Sequence, residues 1–327
     1  MSDRILVTGG AGFVGSHLAE KLTSSGRRVT CLDNFDRYYS SAIKLRNVAD
    51  VMASENAQLV EADIRHIGRL REIISELRPT AIVHLAARPG VRQSLTNPRV
   101  YFENNLSGTL NVLIAAREAH VPRLVLASTS SVYGTVEGPA REDETPCRPL
   151  SPYGASKVGA EALCSSFGQS GDMSVLALRF FTVVGPRQRP DMAIPQFTRK
   201  IQQGEPIRVY GDGSSMRDYT YVSDIVDAVE AAVFVDHVGY TPINVGRGKP
   251  VALSTVISLI EENLGKTAIQ HFEPVHPADP LLTFADIGKA KQLLGYEPRV
   301  TIEEAISRYV RWFKQQPGDR TGFEKLS

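Results

Sequence analysis

The chain has 327 residues, which at about 100–200 residues per domain makes one large or two medium domains. Its 42% hydrophobic and 22% charged residues are ordinary for a globular protein and exclude general disorder. Lys+Arg number 37 against 36 Asp+Glu, so there is no basic excess to hold a nucleic-acid backbone or an anionic membrane, and neither partner is expected. The longest apolar runs, such as Ala228 to Val235 with Glu230 inside it, fall short of a membrane span. Met1-Ser2-Asp3-Arg4 leads straight into a strand-like run, so no signal peptide is expected. Cys31, Cys147 and Cys164 are odd in number and widely spaced, as in a cytoplasmic protein with reduced thiols.

The first 180 residues alternate apolar runs with amphipathic stretches. Ile5–Val7, Arg28–Leu32, Gln58–Val60, Ala81–Leu85, Leu124–Leu126 and Val175–Leu178 read as buried strands. Phe13–Leu22, Ile67–Leu77, Asn105–Ala119 and Tyr153–Phe167 read as helices between them. This alternation predicts an α/β fold, a doubly wound parallel sheet of Rossmann type, with ligands beyond the carboxyl ends of its strands. After Arg179 the rhythm breaks at Pro186, Pro190, Pro195, Pro206, Gly211 and Gly213, which suggests a smaller second domain. The expected division is residues 1–179, with returning segments near 221–245, and residues 180–327. A helix over Ile302–Lys314 should close the fold, followed by a loose polar tail.

Thr8-Gly9-Gly10-Ala11-Gly12-Phe13-Val14-Gly15 follows the first strand and opens the first helix. Glycines there permit a tight turn and a close approach of backbone to a pyrophosphate at the helix N-terminus; the bland alternative is a structural turn. Asp33 ends the second strand 18 residues beyond Gly15. A carboxylate in that place accepts hydrogen bonds from the adenosine ribose and repels a 2′-phosphate, favouring NAD over NADP, with Arg37 as a nearby counter-signal. Alone, Asp33-Asn34 is equally an Asx turn. Asp63, after the third strand, suits either the adenine edge or a helix cap.

Tyr153-Gly154-Ala155-Ser156-Lys157 opens a helix, and the i,i+4 spacing puts phenol and ammonium on one face. An ammonium beside a phenol favours the phenolate, a competent base for a sugar hydroxyl, although Tyr-x-x-x-Lys also arises by chance. Ser128-Thr129-Ser130-Ser131-Val132-Tyr133-Gly134 follows the fifth strand and presents hydroxyls at the same sheet edge.

Together these residues, with His84-Leu85-Ala86-Ala87, Asn104-Asn105 and Arg217-Asp218-Tyr219, resemble the extended short-chain dehydrogenase/reductase family, specifically its nucleotide-sugar epimerases and dehydratases. The resemblance covers nearly the whole chain, with the motifs in the family's order and spacing. It implies a tightly held NAD, a C-terminal domain for a UDP-sugar, and a homodimer through two helices per subunit. Tyr153 would be the base, Lys157 would bind the nicotinamide ribose and tune the tyrosine, and Thr129 would hydrogen-bond the sugar hydroxyl. The cofactor would meet Gly9, Gly12, Phe13, Val14 and Gly15 at the phosphate loop and Asp33, Asn34, Asp63 and Ile64 at the adenosine end. Leu85, Ala86 and Ala87 would line the middle, and Tyr153 and Lys157 would lie at the nicotinamide.

Ala87-Arg88-Pro89-Gly90-Val91-Arg92-Gln93-Ser94 and Gly185 to Ala193 narrow the resemblance to UDP-glucuronate 4-epimerases, as do Asp33-Asn34 and Tyr38-Tyr39. Substrate contacts would then come from Arg88, Gly90 and Val91, from Thr129, Ser130 and Ser131, and from Thr182 and Arg189. Thr182 stands where galactose epimerases carry Asn, and with Ser130 and Ser131 it can hold a carboxylate, or merely pack under the sugar. Arg217 takes the diphosphate-binding position, its bland alternative being a surface ion pair with Asp218; Asp279 takes the uridine-ribose position. His276 departs from the family's Arg or Gln. His271 and His276 have no companion set for a metal, and none is expected. The implied reaction is C4 epimerisation of UDP-glucuronate to UDP-galacturonate through a 4-keto sugar. A neutral UDP-glucose or UDP-N-acetylglucosamine 4-epimerase, a UDP-glucuronate decarboxylase, a 4,6-dehydratase and a catalytically silent NAD-sensing protein remain the alternatives.

Overall fold

Ile5 and Val7 pack into one apolar cluster with Leu18 and Leu22, while Leu6 between them packs into another with Ile74 and Leu113. This period of two is what a strand needs when helices cover both faces of its sheet. The computed structural model describes residues 3–171 and 173–316, so the polar tail lies outside the described residues. The first half alternates strands β1 (Arg4–Thr8), β2 (Arg28–Asp33), β3 (Ala57–Glu61), β4 (Ala81–His84), β5 (Arg123–Thr129) and β6 (Ser174–Phe180) with helices. These are α1 (Phe13–Ser24), α2 (Ser41–Met52), α3 (Ile67–Leu77), α4 (Val91–Thr96), α5 (Pro98–Tyr101), α6 (Gly108–Glu118) and α7 (Pro152–Gln169).

The chain continues through β7 (Thr182–Val184), α8 (Ala193–Gln203), β8 (Ile207–Tyr210), β9 (Met216–Tyr221), α9 (Val222–Phe234) and β10 (Tyr240–Val245). It closes with β11 (Pro250–Ala252), α10 (Leu253–Leu264), β12 (Gln270–Glu273), β13 (Leu282–Thr283), α11 (Gly288–Leu294) and α12 (Ile302–Gln315). Among the described residues, seven strands form a parallel sheet in the order β3-β2-β1-β4-β5-β6-β10. The order reverses between β1 and β4, and a crevice opens at such a switch point. β10 pairs with β6 and α9 packs on α1, so these late segments return to the first sheet.

The region read only as irregular is organised around β9, which pairs with β7 and β13 in parallel and with β11 antiparallel. Asp218 of β9 is fully buried and accepts the backbone N–H groups of Arg247 (2.7 Å), Gly248 (2.9 Å) and Ala285 (3.1 Å). One carboxylate therefore satisfies loops from both sides of the strand.

The expected helix over Asn105–Ala119 starts differently. Residues Phe102–Ser107 wind as a π-helix between α5 and α6. Asn105 lies in that turn, its side chain accepting Arg88 N–H (2.6 Å) and donating to Arg88 C=O (3.0 Å). π-Turns of this kind gather at functional sites.

His84, at the end of β4, is buried between Thr8 and Thr109. Thr109 directs its proton at the Asn105 carbonyl (2.6 Å), so the imidazole donates to Thr109 from Nε2 (3.0 Å) and accepts the Thr8 hydroxyl at Nδ1 (2.7 Å). Burial, with the nearby Lys157 ammonium, lowers its pKa to about 3. Folded His84 thus stays neutral while unfolded His84 takes up a proton below its ordinary value of 6.5, so stability falls as pH drops from 6.5 toward 3. Between pH 7.5 and 5.5 this one residue should remove about 1.4 kcal/mol. Urea unfolding of the wild type and His84→Gln at both pH values checks this: the variant should lack that component of the acid sensitivity.

Candidate active site

The glycine loop is anchored by Gly9 N–H (2.7 Å) and Gly10 N–H (3.2 Å) on the Leu32 carbonyl. Gly9 has φ +70°, and a Cβ there would sit 2.8 Å from Ala86 N, so only glycine lets the loop close against the end of β4. A Cβ on Gly15 would run into the Gly9 carbonyl. Gly12 then caps α1, and Gly9, Gly12, Phe13, Val14 and Gly15 all line a cavity of about 480 Å³ at the strand ends. Bare backbone at a helix N-terminus, open to a cavity, is what a pyrophosphate requires, so these residues fit the phosphates of a dinucleotide.

Asp33 and Asn34 also line the cavity, followed by Ile64, Leu85, Ala86 and Ala87. Asp33 forms the Asx turn with Phe35 N–H (2.9 Å), yet its carboxylate does more: it accepts Ala11 N–H (3.3 Å) and pairs with the Lys44 ammonium at 3.0 Å. Lys44, on α2, lies on the cavity wall and was missed by the sequence reading, because a lysine in an amphipathic helix looks like a solvated one. Arg37, the expected counter-signal to NAD, is exposed. Asp63, read as meeting the adenine edge or capping a helix, is not itself among the cavity-lining residues, whereas Asn34, Ala62 and Ile64 are. Arg65 N–H (2.9 Å), the Arg65 guanidinium (2.6 Å) and the Asn34 amide (2.9 Å) occupy its carboxylate. Burial works against that charge, but these partners outweigh it and hold the carboxyl well below the usual range.

Tyr153, Lys157 and Thr129 converge on the cavity. Ser151 caps α7 by accepting Gly154 N–H (3.2 Å), and Pro152 starts the helix, setting Tyr153 and Lys157 at the cavity. Thr129 ends β5 opposite them, with Ser130 and Ser131 in the turn that follows. Burial raises the Tyr153 phenol above its ordinary pKa, and the Thr129 hydroxyl and the Arg189 guanidinium offset part of that rise. The Lys157 ammonium donates to the Ala127 carbonyl at 2.7 Å. Burial brings its pKa down to about 8, against an upward pull from Cys164 and Glu161. Arg189 is thus a cation acting on the phenol that the local Tyr153/Lys157 spacing did not suggest.

Arg88, Gly90, Val91, Thr182, Arg189, Arg217 and Asp279 complete the wall. Arg189 is held by Asp191 (3.0 and 3.1 Å), which also accepts the Tyr38 hydroxyl (2.9 Å). Arg88 pairs with Asp36 and lies 4.5 Å from the Tyr38 ring centre, so two guanidiniums flank one aromatic ring. The surface ion pair offered as an alternative for Arg217 does not form: Asp218 is occupied by the three backbone N–H groups above, and Arg217 bonds the Met216 carbonyl (2.9 Å). Asp279 reaches the cavity but is paired with Arg92, whose guanidinium stacks 3.7 Å above the Tyr210 ring. His276, the departure from the family pattern, accepts Ala278 N–H (3.1 Å) and shapes the turn before Asp279. Among the described residues no cluster of His, Cys, Asp or Glu is arranged to hold a metal ion.

Residues 5–246 match the model of the NAD dependent epimerase/dehydratase family. A curated relative, UDP-glucuronate 4-epimerase of Thermodesulfobacterium geofontis, is 41% identical over 311 residues, covering 95% of this chain and 96% of its own. The crystal structure of UDP-glucuronic acid 4-epimerase from Bacillus cereus with UDP-glucuronic acid and NAD superposes with a TM-score of 0.90 at 35% identity, covering 95% of this chain and 99% of its own. MoeE5, solved with UDP-glucuronic acid and NAD, gives 0.86 at 37% identity, with the same coverage of both chains. By sequence over most of its length, and by a fold shared at better than one-third identity, this chain belongs to the NAD dependent epimerase/dehydratase family.

Proposed function

We propose that the protein is an NAD-dependent UDP-glucuronate 4-epimerase, converting UDP-glucuronate to UDP-galacturonate. What carries the reading is one cavity that brings together a dinucleotide loop, a Tyr–Lys–Thr trio and a hydroxyl-rich, guanidinium-flanked wall. The relatives named for UDP-glucuronate, and the neighbours solved with that sugar and NAD, support it. When bound, NAD takes the C4 hydride and returns it, so no external reductant is consumed.

The residues then divide the work. Gly9 to Gly15 and Asp33 hold the dinucleotide, with Lys44 added to the adenosine end, and Lys157 binds the nicotinamide ribose. Tyr153 takes the C4 hydroxyl proton and later gives it back, while Thr129 hydrogen-bonds the same oxygen. Arg217 and Asp279 hold the diphosphate and uridine ribose. Ser130, Ser131 and Thr182 donate to the uronate carboxylate, and Arg189 supplies charge near it. Oxidation at C4 makes the sugar a β-keto acid, which loses carbon dioxide when its carboxylate bond aligns with the carbonyl. Hydroxyls that pin the carboxylate out of that alignment keep the reaction an epimerisation, and an acidic residue at Ser131 would not.

In the same reading, residues 1–179 with the segments near 221–245 form the NAD-binding domain, and residues 180–327 the nucleotide-sugar-binding one. A homodimer is proposed through the π-turn helix and α7, where Phe102 of the π-turn is exposed, as is Leu95 on the neighbouring α4. A cytoplasmic location suits the buried free thiols of Cys31 and Cys164.

Incubation with UDP-glucuronate and, in parallel, UDP-glucose, followed by NMR and mass spectrometry, tests the reading. UDP-galacturonate should dominate with little UDP-pentose; dominant loss of carbon dioxide, or turnover of UDP-glucose alone, would overturn it. Tyr153→Phe should lower turnover by ~10²–10⁴ with UDP-sugar binding kept, as for a lost general base, and near-normal turnover would remove it from that role. Thr182→Ala or Ser131→Ala should raise the decarboxylated or 4-keto fraction of product, read from the same spectra.

A further inference from the structure

Next to the catalytic trio the sequence buries an ion pair with no part in the chemistry described so far. Glu161 lies one turn beyond Lys157 on α7 and Arg179 lies on β6, each 5% exposed. Arg179 meets both carboxylate oxygens, Nε at 3.0 and 3.2 Å and Nη2 at 2.7 Å. The same carboxylate accepts the hydroxyl of Ser128 and, at 3.2 Å, that of Tyr240. From its other arm Arg179 donates to the Tyr133 hydroxyl (2.7 Å), which donates on to Asn244 (2.7 Å). A buried ion pair is weak evidence for stability, since a well-packed apolar pair of similar volume often serves as well. Its placement is the informative part. Ser128 immediately precedes Thr129, and Tyr133 immediately follows the short 3₁₀ turn Ser130–Val132. The pair thus grips both ends of the segment that carries Thr129, Ser130 and Ser131.

Glu161 also stands against Lys157. On its own helix Tyr153 lies one turn before Lys157, Glu161 one turn after and Cys164 two turns after; the ammonium donates to the Ala127 carbonyl on β5, and neutral His84 on β4 is near it. Arg179 connects to this set through Glu161. Burial strips the ammonium of solvent, and the carboxylate works in the opposite direction.

We propose that Glu161, clamped by Arg179, is a positioning residue of this site. It holds the Thr129–Ser131 turn in register with Tyr153 and sets a fixed negative charge beside Lys157. This rests on the roles of Thr129 and Lys157 given above. Neither Glu161 nor Arg179 lines the cavity, so both act through other residues.

The experiment measures kcat and KM for UDP-glucuronate against pH on NAD-loaded enzyme, with bound NAD quantified for every variant. Glu161→Gln should lower kcat about tenfold or more with KM changed less than about twofold. It should also move the descending, alkaline limb of the kcat profile down by about one pH unit, because Lys157 then loses its proton more easily. Glu161→Asp should bring the limb back toward wild type. Ser128→Ala, which removes the hydroxyl anchor and no charge, should lower kcat and leave the limb in place. If Glu161→Gln does not fold, Glu161→Gln combined with Arg179→Met leaves no unpaired guanidinium in the core, and it should show the same shifted limb. A limb that stays put in both of these, with activity falling only in step with thermal stability, would overturn the proposal. Lys157→Met separates the two levels. A limb that persists in Lys157→Met would strike down the role of Lys157 itself. A limb that vanishes there but does not move in the Glu161 variants would strike down the positioning role alone.

Discussion

A parallel sheet covered by helices on both faces leaves its carboxyl-terminal edge as the place where strands can offer groups to a ligand. Thr8, Asp33, Thr129 and Phe180 stand at or near that edge on β1, β2, β5 and β6, and the last three line the cavity. The reversal of strand order between β1 and β4 opens the crevice, and the glycine loop enters it because Gly9 can pack directly against Ala86. The β9-centred strands then bring Arg217, Asp279 and Thr283 to the other wall. Site chemistry in this fold is a consequence of where helices cannot go.

Burial at that edge pushes both ionisable partners toward neutrality. It lifts the Tyr153 phenol and lowers Lys157 to about 8, so two proton affinities that are similar in free side chains move apart across one turn of α7. The shift brings Lys157 toward the range in which a proton moves near neutral pH, and pairs of groups pushed apart in this way gather at functional sites. The surroundings moderate the effect: Thr129 and Arg189 act on the phenol, Cys164 and Glu161 on the ammonium. Arg189 is in turn steadied by Asp191 and Tyr38, so its charge arrives with part of its hydrogen-bonding already committed. On the proposed reading, a uronate in the cavity would meet a guanidinium already held in place, which lowers the reorganisation its binding requires.

The doubly wound sheet was legible because short β-branched runs recur between amphipathic stretches, and the phosphate loop and Tyr153/Lys157 because their spacing is local. The pairing of Arg92 with Asp279 was not: the two are 187 residues apart, and only the fold brings them together. The same holds for Asp33 and Lys44, where a buried lysine is written in the same pattern as an exposed one. Asp63 was legible only as an ambiguity, because a strand-end aspartate serves a turn or a ligand with the same local signature; Arg65 and Asn34 bond its carboxylate. The strands around β9 are two to six residues long and broken by glycines and prolines, too short for periodicity to declare them. The π-turn at Phe102–Ser107 left only the Asn104-Asn105 pair as a trace.

The central claim is that one hydride leaves C4 and returns to the opposite face without leaving the cavity. Turnover of UDP-glucuronate carrying deuterium at C4, in ordinary water and with no added cofactor, tests this most directly. The account predicts UDP-galacturonate with the deuterium still on C4 and the configuration inverted. Deuterium lost to solvent, or a product that has shed its carboxylate, would contradict it.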